Sequence, residues 1–316
     1  MYRRQTFLTA SLWLVLSAAP AWAIIFNHTA DTAHNTSAPT GAYQDSGWQW
    51  MGAWFGGNGI AVDQHHFITA NHFGTPAAGE LFTLTDGSTY SYHSHVDDPQ
   101  SDLRVVRVNE PFSSWAPLYT NSNESGKLAV LYGRGRTRGE PVDDKGWKWS
   151  SAGVGTMRWG TNVVTEYADY EDQPSGVDQL LRLAFDRLGN VDATDEEAHL
   201  AAWDSGGGMF INDAGVWKLA GVNYSVDGPF DVEGDGGAND FDAALVDRGG
   251  FYEAADDDQW NFIPDEPQDN PSAAYGTRIS QRIDFIATAV PEPSTVLLLV
   301  CGLLCAIGLA GLRRRP

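Results

Sequence analysis

Three short stretches of this chain carry residue types that together can do acyl-transfer chemistry. The first is Trp203-Asp204-Ser205-Gly206-Gly207-Gly208-Met209-Phe210. Glycine tolerates backbone angles that side chains forbid, so a serine ahead of three glycines sits on a loop able to bend sharply and expose its hydroxyl. A serine hydroxyl at its free pKa is a poor nucleophile, and it needs a base within hydrogen-bond reach and a third group to orient that base. Upstream, Gly59 to His72 reads as two short apolar strands around a polar turn, ending at a histidine; His72 is the candidate base. Ser101-Asp102-Leu103-Arg104-Val105-Val106-Arg107-Val108 sets an acid at the mouth of a β-branched strand, which makes Asp102 the candidate orienter.

Ile68-Thr69-Ala70-Asn71-His72, Asp102-Leu103 and Asp204-Ser205-Gly206-Gly207, in that order, resemble the three motifs of the chymotrypsin/trypsin-like serine protease family. The order His, Asp, Ser separates the chain from the subtilisin and α/β-hydrolase orders. The resemblance runs from about Trp48 to Ile286. It implies an all-β fold of two six-stranded antiparallel β-barrels with the site at their seam and a C-terminal helix. It also implies a serine endopeptidase acting on a protein or peptide substrate, with no cofactor required. His72 would take the proton from Ser205 while Asp102 holds the imidazole, and the backbone N–H groups of Trp203 and Ser205 would form the oxyanion hole.

Two departures stand out within that resemblance. Where the family has glycine at positive φ this chain has Trp203, a residue strained in that conformation. A second reading therefore stays open: a catalytically impaired trypsin-like fold acting as a cell-surface or extracellular-matrix binding protein. The specificity pocket maps to His199, six residues before the nucleophile, and to Tyr224 and Ser225 of Asn223-Tyr224-Ser225-Val226, where the family has Ser-Trp-Gly. With no acid at 199, a preference for Lys or Arg is not supported, and an apolar or acidic side chain is left open.

The elements that would position these groups are short strands. Trp48-Gln49-Trp50, Leu81 to Leu84, Ser88 to His95, Leu103 to Val108 and Leu128 to Tyr132 alternate or run apolar over strand lengths. Val154 to Trp159 and Val163 to Tyr167 flank Gly160-Thr161-Asn162, a hairpin signal, and Phe210 to Trp217 is a second hairpin around Asn212-Asp213-Ala214-Gly215. Leu180 to Phe185 and Val216 to Val222 continue the pattern. Ile279, Ile283 and Ile286 have helical spacing.

Residues 227–274, rich in acid and glycine, interrupt the resemblance. Asp231, Glu233, Asp235 and Asp242 occupy positions 1, 3, 5 and 12 of a window with Gly236 at 6, a spacing that suits a calcium loop. Glutamate at 3 and the short aspartate at 12 depart from that pattern, and a solvated acidic loop is the simpler reading. His65, His66, His93 and His95 suggest zinc, but no His-Glu-x-x-His element accompanies them, so metal catalysis is not supported.

The ends read as addresses. Arg3 and Arg4 before the apolar run Phe7 to Ala19, with Ala21-Trp22-Ala23 behind it, make 1–23 a secretory signal peptide. The mature segment 24–47 then starts at Ile24. In the protease family a new N-terminus, usually isoleucine, pairs its ammonium with the aspartate before the nucleophile, here Asp204; signal peptidase itself would create that terminus, and the alternative reading is a flexible N-terminal segment with Asp204 paired otherwise. At 290–316, Pro291-Glu292-Pro293, the uncharged run Val296 to Leu312 and Arg313-Arg314-Arg315 together resemble the PEP-CTERM sorting signal of Gram-negative bacteria. That resemblance implies export to the cell surface or medium, transient anchoring in the inner membrane and processing by an exosortase. The protease domain then spans 48–289.

The chain of 316 residues has two cysteines, Cys301 and Cys305, both in the tail, so its body has no disulfide to rely on. Removing the five arginines and one glutamate of the two ends takes the formal charge from −21 to −25. Nucleic acid and anionic lipid surfaces are therefore excluded as partners of the body.

Overall fold

The computed structural model describes residues 24–151, 155–169, 179–237, 239–256 and 259–290. Residues 1–23, read from the sequence as a signal peptide, and the tail from Pro291 onward, read as a sorting signal, lie outside the described residues. Among the described residues no helix is long and apolar enough to cross a membrane.

Strands β1 (Met51–Trp54), β2 (Gly57–Asp63), β3 (His66–Ala70), β4 (Leu81–Leu84), β5 (Thr89–Asp97) and β6 (Leu103–Val108) close into an antiparallel barrel in the order β1-β2-β3-β6-β5-β4. Its interior is aromatic. Phe67 stacks on Phe82 with ring centroids 4.2 Å apart, and Trp54 meets Phe67 edge-on at 4.9 Å. Such rings bury more apolar area per residue than any other side chain, and each contributes about 1.5–3 kcal/mol by leaving water.

Strands β7 (Leu128–Gly133), β8 (Arg158–Val163), β9 (Glu166–Asp169), β10 (Gln179–Ala184), β11 (Gly208–Asp213), β12 (Val216–Val226) and β13 (Ala273–Arg278) form a second sheet in the order β8-β7-β11-β12-β13-β10-β9. The second unit is thus a seven-stranded sheet, and not the closed six-stranded barrel expected from the sequence. Where a ladder would join β8 to β10, the side chain of Asn162 bridges instead, its Nδ2 donating to the carbonyls of Ala184 and Ala198 at 2.7 and 3.0 Å.

Two other expectations are corrected. Gly160-Thr161-Asn162 is the middle of β8, in unbroken register with β7 from Arg158 opposite Gly133 to Val163 opposite Leu128. The glycine serves close packing there, since a Cβ at 160 would fall 2.3 Å from that of Ala198. Trp48–Trp50 is a 3-10 turn whose tryptophans meet Tyr132 and Phe210, not a strand.

The acidic stretch 227–274 is also more than loop. Ala243–Leu245 adds to a hairpin of Arg138–Val142 and Gly146–Trp149, and Phe230–Asp231 pairs with Tyr252–Asp256, which pairs with Gln259–Phe262. Phe230, Phe241 and Phe251 bury a small core against Val142 and Leu245.

The barrel and the sheet share one apolar seam that includes Met51, Ile60, Ile68, Leu103, Phe210 and Leu219. Helix α1 (Ile283–Ala289), preceded by a 3-10 turn, seals it with Ile279 and Ile286.

Candidate active site

His72 stands on a 3-10 turn, Asn71–Phe73, at the end of β3, and Asp102 stands immediately before β6, the strand paired with β3. The two are joined twice. Asp102 Oδ1 accepts the backbone N–H of His72 at 2.8 Å, and Oδ2 lies 2.7 Å from His72 Nδ1. With Nδ1 held by the carboxylate, Nε2 is the ring nitrogen left to meet a reacting group.

Buried Arg104 fixes the turn from behind, donating to Asn71 Oδ1 at 2.9 Å and to the Gly74 carbonyl. Asp98 shapes the other side. Its carboxylate accepts from Gln100 N–H and from the Ser101 hydroxyl, and it lies 3.5 Å from Arg282 ahead of α1.

Ser205 sits on a loop before β11, and both halves of the molecule hold that loop. From β2, Asn58 Nδ2 donates to the carbonyls of Trp203 and Ser205 at 3.2 and 3.1 Å. From β12, Asn223 Nδ2 donates to the carbonyls of Tyr132 and Asp204 at 2.8 and 3.0 Å. Gly206 has φ +71°, and a Cβ there would lie 2.3 Å from the Asn58 carbonyl oxygen, so only glycine fits. Neither asparagine was singled out from the sequence as a site residue; the signal was a polar side chain inside an apolar strand.

Trp203 takes φ +75°, the left-handed conformation in which a bulky side chain is strained, and its indole, 45% exposed, lies over Gly56. Among the described residues the amides of Trp203 and Ser205 make no hydrogen bond within the chain, nor does the Ser205 hydroxyl.

Asp204 is fully buried beneath this loop. Its Oδ1 accepts from Gly135 N–H at 2.7 Å and its Oδ2 from Ala201 N–H at 2.9 Å, and the backbone N–H of Ile24 also donates to it. Burial pushes its pKa up to about 7 against these donors and the nearby Arg158 cation. Ile24 is itself buried at φ +59°, an outlier for a β-branched residue.

A cavity of about 190 Å³ opens beside Ser205, with Leu200, Ala201, Ala202, Val226 and Trp149 among its walls and Tyr224 and Ser225 along one side. The Tyr224 ring is 6.3 Å from that of His72. His199 does not line this cavity: it is fully buried in the strand Ala198–His199, its Nδ1 2.6 Å from the Leu200 carbonyl.

The acidic residues named for calcium are arranged differently from a chelating loop. The Asp231 carboxylate accepts the backbone N–H groups of Glu233, Gly234, Asp235 and Gly236. Among the described residues, no three of Asp231, Glu233, Asp235 and Asp242 bring ligand atoms together.

No protein-family model matches the chain, and no curated protein sequence matches it. Among solved structures, one titled HtrA-type protease AlgW with decapeptide aligns over 74% of this chain and 51% of its own, at 13% identity and a TM-score of 0.43. This chain therefore spans about half the length of that structure. Among the described residues, the mostly β content, the closed six-stranded barrel and one short α-helix agree with the trypsin-like expectation for the first barrel and the C-terminal helix, while the second barrel differs from it.

Two outcomes are expected. Trp203→Gly removes a left-handed strain of about 1–2 kcal/mol but loses the indole's packing on Gly56 and adds freedom to the unfolded chain, so urea unfolding shifts by less than about 1 kcal/mol. For protein in which Ile24 is still joined to the residue before it, Asp204 holds a proton that the unfolded chain releases. Its contribution to stability is then greatest in acid and falls by about 4 kcal/mol as pH rises from about 4 to about 7. Comparing wild type with Asp204→Asn across that range isolates the effect.

Proposed function

We propose that this chain is an exported serine endopeptidase of the trypsin-like kind, working through Ser205, His72 and Asp102. The observation that carries this reading is the double contact of Asp102 with His72, beside a cavity that Ser205 lines. His72 Nε2 takes the Ser205 proton as Oγ bonds to the substrate carbonyl carbon, and Asp102 stabilises the imidazolium. The oxyanion meets the uncommitted amides of Trp203 and Ser205. The C–N bond then breaks, His72 gives the proton to the leaving amine, and water admitted by the same base releases the acyl group. The Ser205 to His72 hydrogen bond forms when substrate enters, as catalytic contacts commonly tighten only in the complex.

The mature N-terminus in this proposal is Ile24, released by removal of residues 1–23. Cutting before Ile24 abolishes the backbone angle that strains it and places an ammonium where its amide now meets Asp204. A positive charge there brings the Asp204 pKa back down. The tail from Pro291 then serves sorting and transient anchoring in the inner membrane, with an exosortase as the processing partner.

A fluorophosphonate probe is expected to label wild-type protein, and Ser205→Ala and His72→Ala to lose labelling, with turnover down by roughly 10⁴–10⁶-fold. A wild type that stays unlabelled sinks the enzyme reading in favour of a surface-binding role. N-terminal sequencing of exported protein should begin at Ile24, and a start at Asn27 or later rejects the maturation scheme. Because the cavity walls are largely apolar, a peptide library should show aliphatic or aromatic side chains preferred before the cut. Lys and Arg are expected to be at least about tenfold poorer.

A further inference from the structure

Away from Ser205, one group of side chains has both the chemistry and the convergence of a metal centre. His28 and His34 belong to the N-terminal segment, and Glu196 precedes the strand Ala198–His199. The Nε2 atoms of His34 and His28 lie 2.6 and 3.7 Å from the same oxygen, Glu196 Oε2, and the ligand atoms all fall within 4.8 Å of one another. The two imidazoles meet edge-to-face with centroids 4.9 Å apart, and each packs against the Phe26 ring.

Two imidazoles and a carboxylate form a donor set that suits divalent zinc and its neighbours. In a tetrahedral shell with bonds of about 2.0–2.2 Å, ligand atoms stand roughly 3.3 Å apart. The His28 to Glu196 spacing already fits, and the His34 contact has to open by under about 1 Å. Asn35 Nδ2 donates to the same Glu196 Oε2 at 3.1 Å and to the Trp159 carbonyl at 2.9 Å, which fixes where the carboxylate sits. The three side chains are only 22–28% exposed, which leaves solvent access for a water as fourth ligand.

We propose that His28, His34 and Glu196 bind a divalent transition metal of the zinc class, which clamps the N-terminal segment onto the body. Protein contacts strap the segment there as well. Ile25 and Phe26 pair with His199 and Ala198, and Arg158 donates to the carbonyls of Ile24, Asp31 and His34. A metal adds a cross-link between positions far apart in sequence, the role a disulfide plays in chains that have cysteines to form one. Since the same segment carries Ile24 to Asp204, an occupied site favours the arrangement that shapes the Ser205 loop. That last consequence rests on the protease reading; the metal site does not.

The exported protein, purified from cells expressing the full chain and stripped with chelator, is titrated with Zn²⁺ by calorimetry and with Co²⁺ by visible ligand-field absorption. One ion per chain is expected, with a tetrahedral-type cobalt spectrum and a raised melting temperature. His28→Ala, which leaves the His34–Glu196 contact in place, should weaken zinc binding at least about tenfold, while His93→Ala should change nothing. No stoichiometric binding, or binding indifferent to His28→Ala, overturns the site.

Fluorophosphonate labelling is followed in parallel. Faster labelling with zinc in wild type, absent in His28→Ala, supports the link to Ser205, and equal rates with and without zinc overturn it. Zinc binding that depends on His28 in a protein that never labels removes the enzyme reading and leaves the metal site standing.

Discussion

A carboxylate with no solvent access is tolerated only where donors surround it, and the donors around Asp204 come from three places in the chain. Gly135 approaches from beyond the end of β7, Ala201 from the same loop as Ser205, and Ile24 from the N-terminal segment. Unpaired, such a group costs several kcal/mol or holds a proton. The segment 24–47, the loop after β7 and the Ser205 loop therefore constrain one another through a single side chain. The left-handed angle at Trp203, next to Asp204, is borne because its neighbours are so heavily fixed.

The other half of the site depends on Asp102 in the same fashion. One carboxylate orients both the backbone and the ring of His72, so the ring cannot turn without breaking the contact of its Nδ1 with Asp102 Oδ2. Arg104 and Asp98 act one layer behind, and the contact of Asp98 with Arg282 ties the turn carrying Asp102 to the region that starts α1.

The residues legible in the sequence were those whose meaning is local. Ser205 is flagged by the glycines after it, His72 and Asp102 by the strands they adjoin, and the strand content by alternation. Asn58, Asn223 and Arg104 were not legible as site residues, because each works on groups distant in the chain, up to 147 residues away for Asn58 and Ser205. His28 and His34 lie in a polar stretch without motif spacing, and only the fold brings them to Glu196. In 227–274, acid and glycine content outweighed Phe230, Phe241 and Phe251, whose spacing has no simple period because they pack from three different strands and turns. Gly160 read as a turn because its other use, letting Ala198 and Phe26 approach, is invisible without the fold.

The two asparagine clamps on the Ser205 loop also bear on how the molecule comes apart. Asn58 belongs to the barrel and Asn223 to the sheet, and Gly206 is wedged against the Asn58 carbonyl with no room to slide. The loop therefore acts as a rivet between the two halves. Separating the halves breaks it, and distorting it loosens both halves at once. Distortion of this loop is accordingly felt by the barrel and the sheet together, so loosening of either half is coupled to loss of the geometry around Ser205.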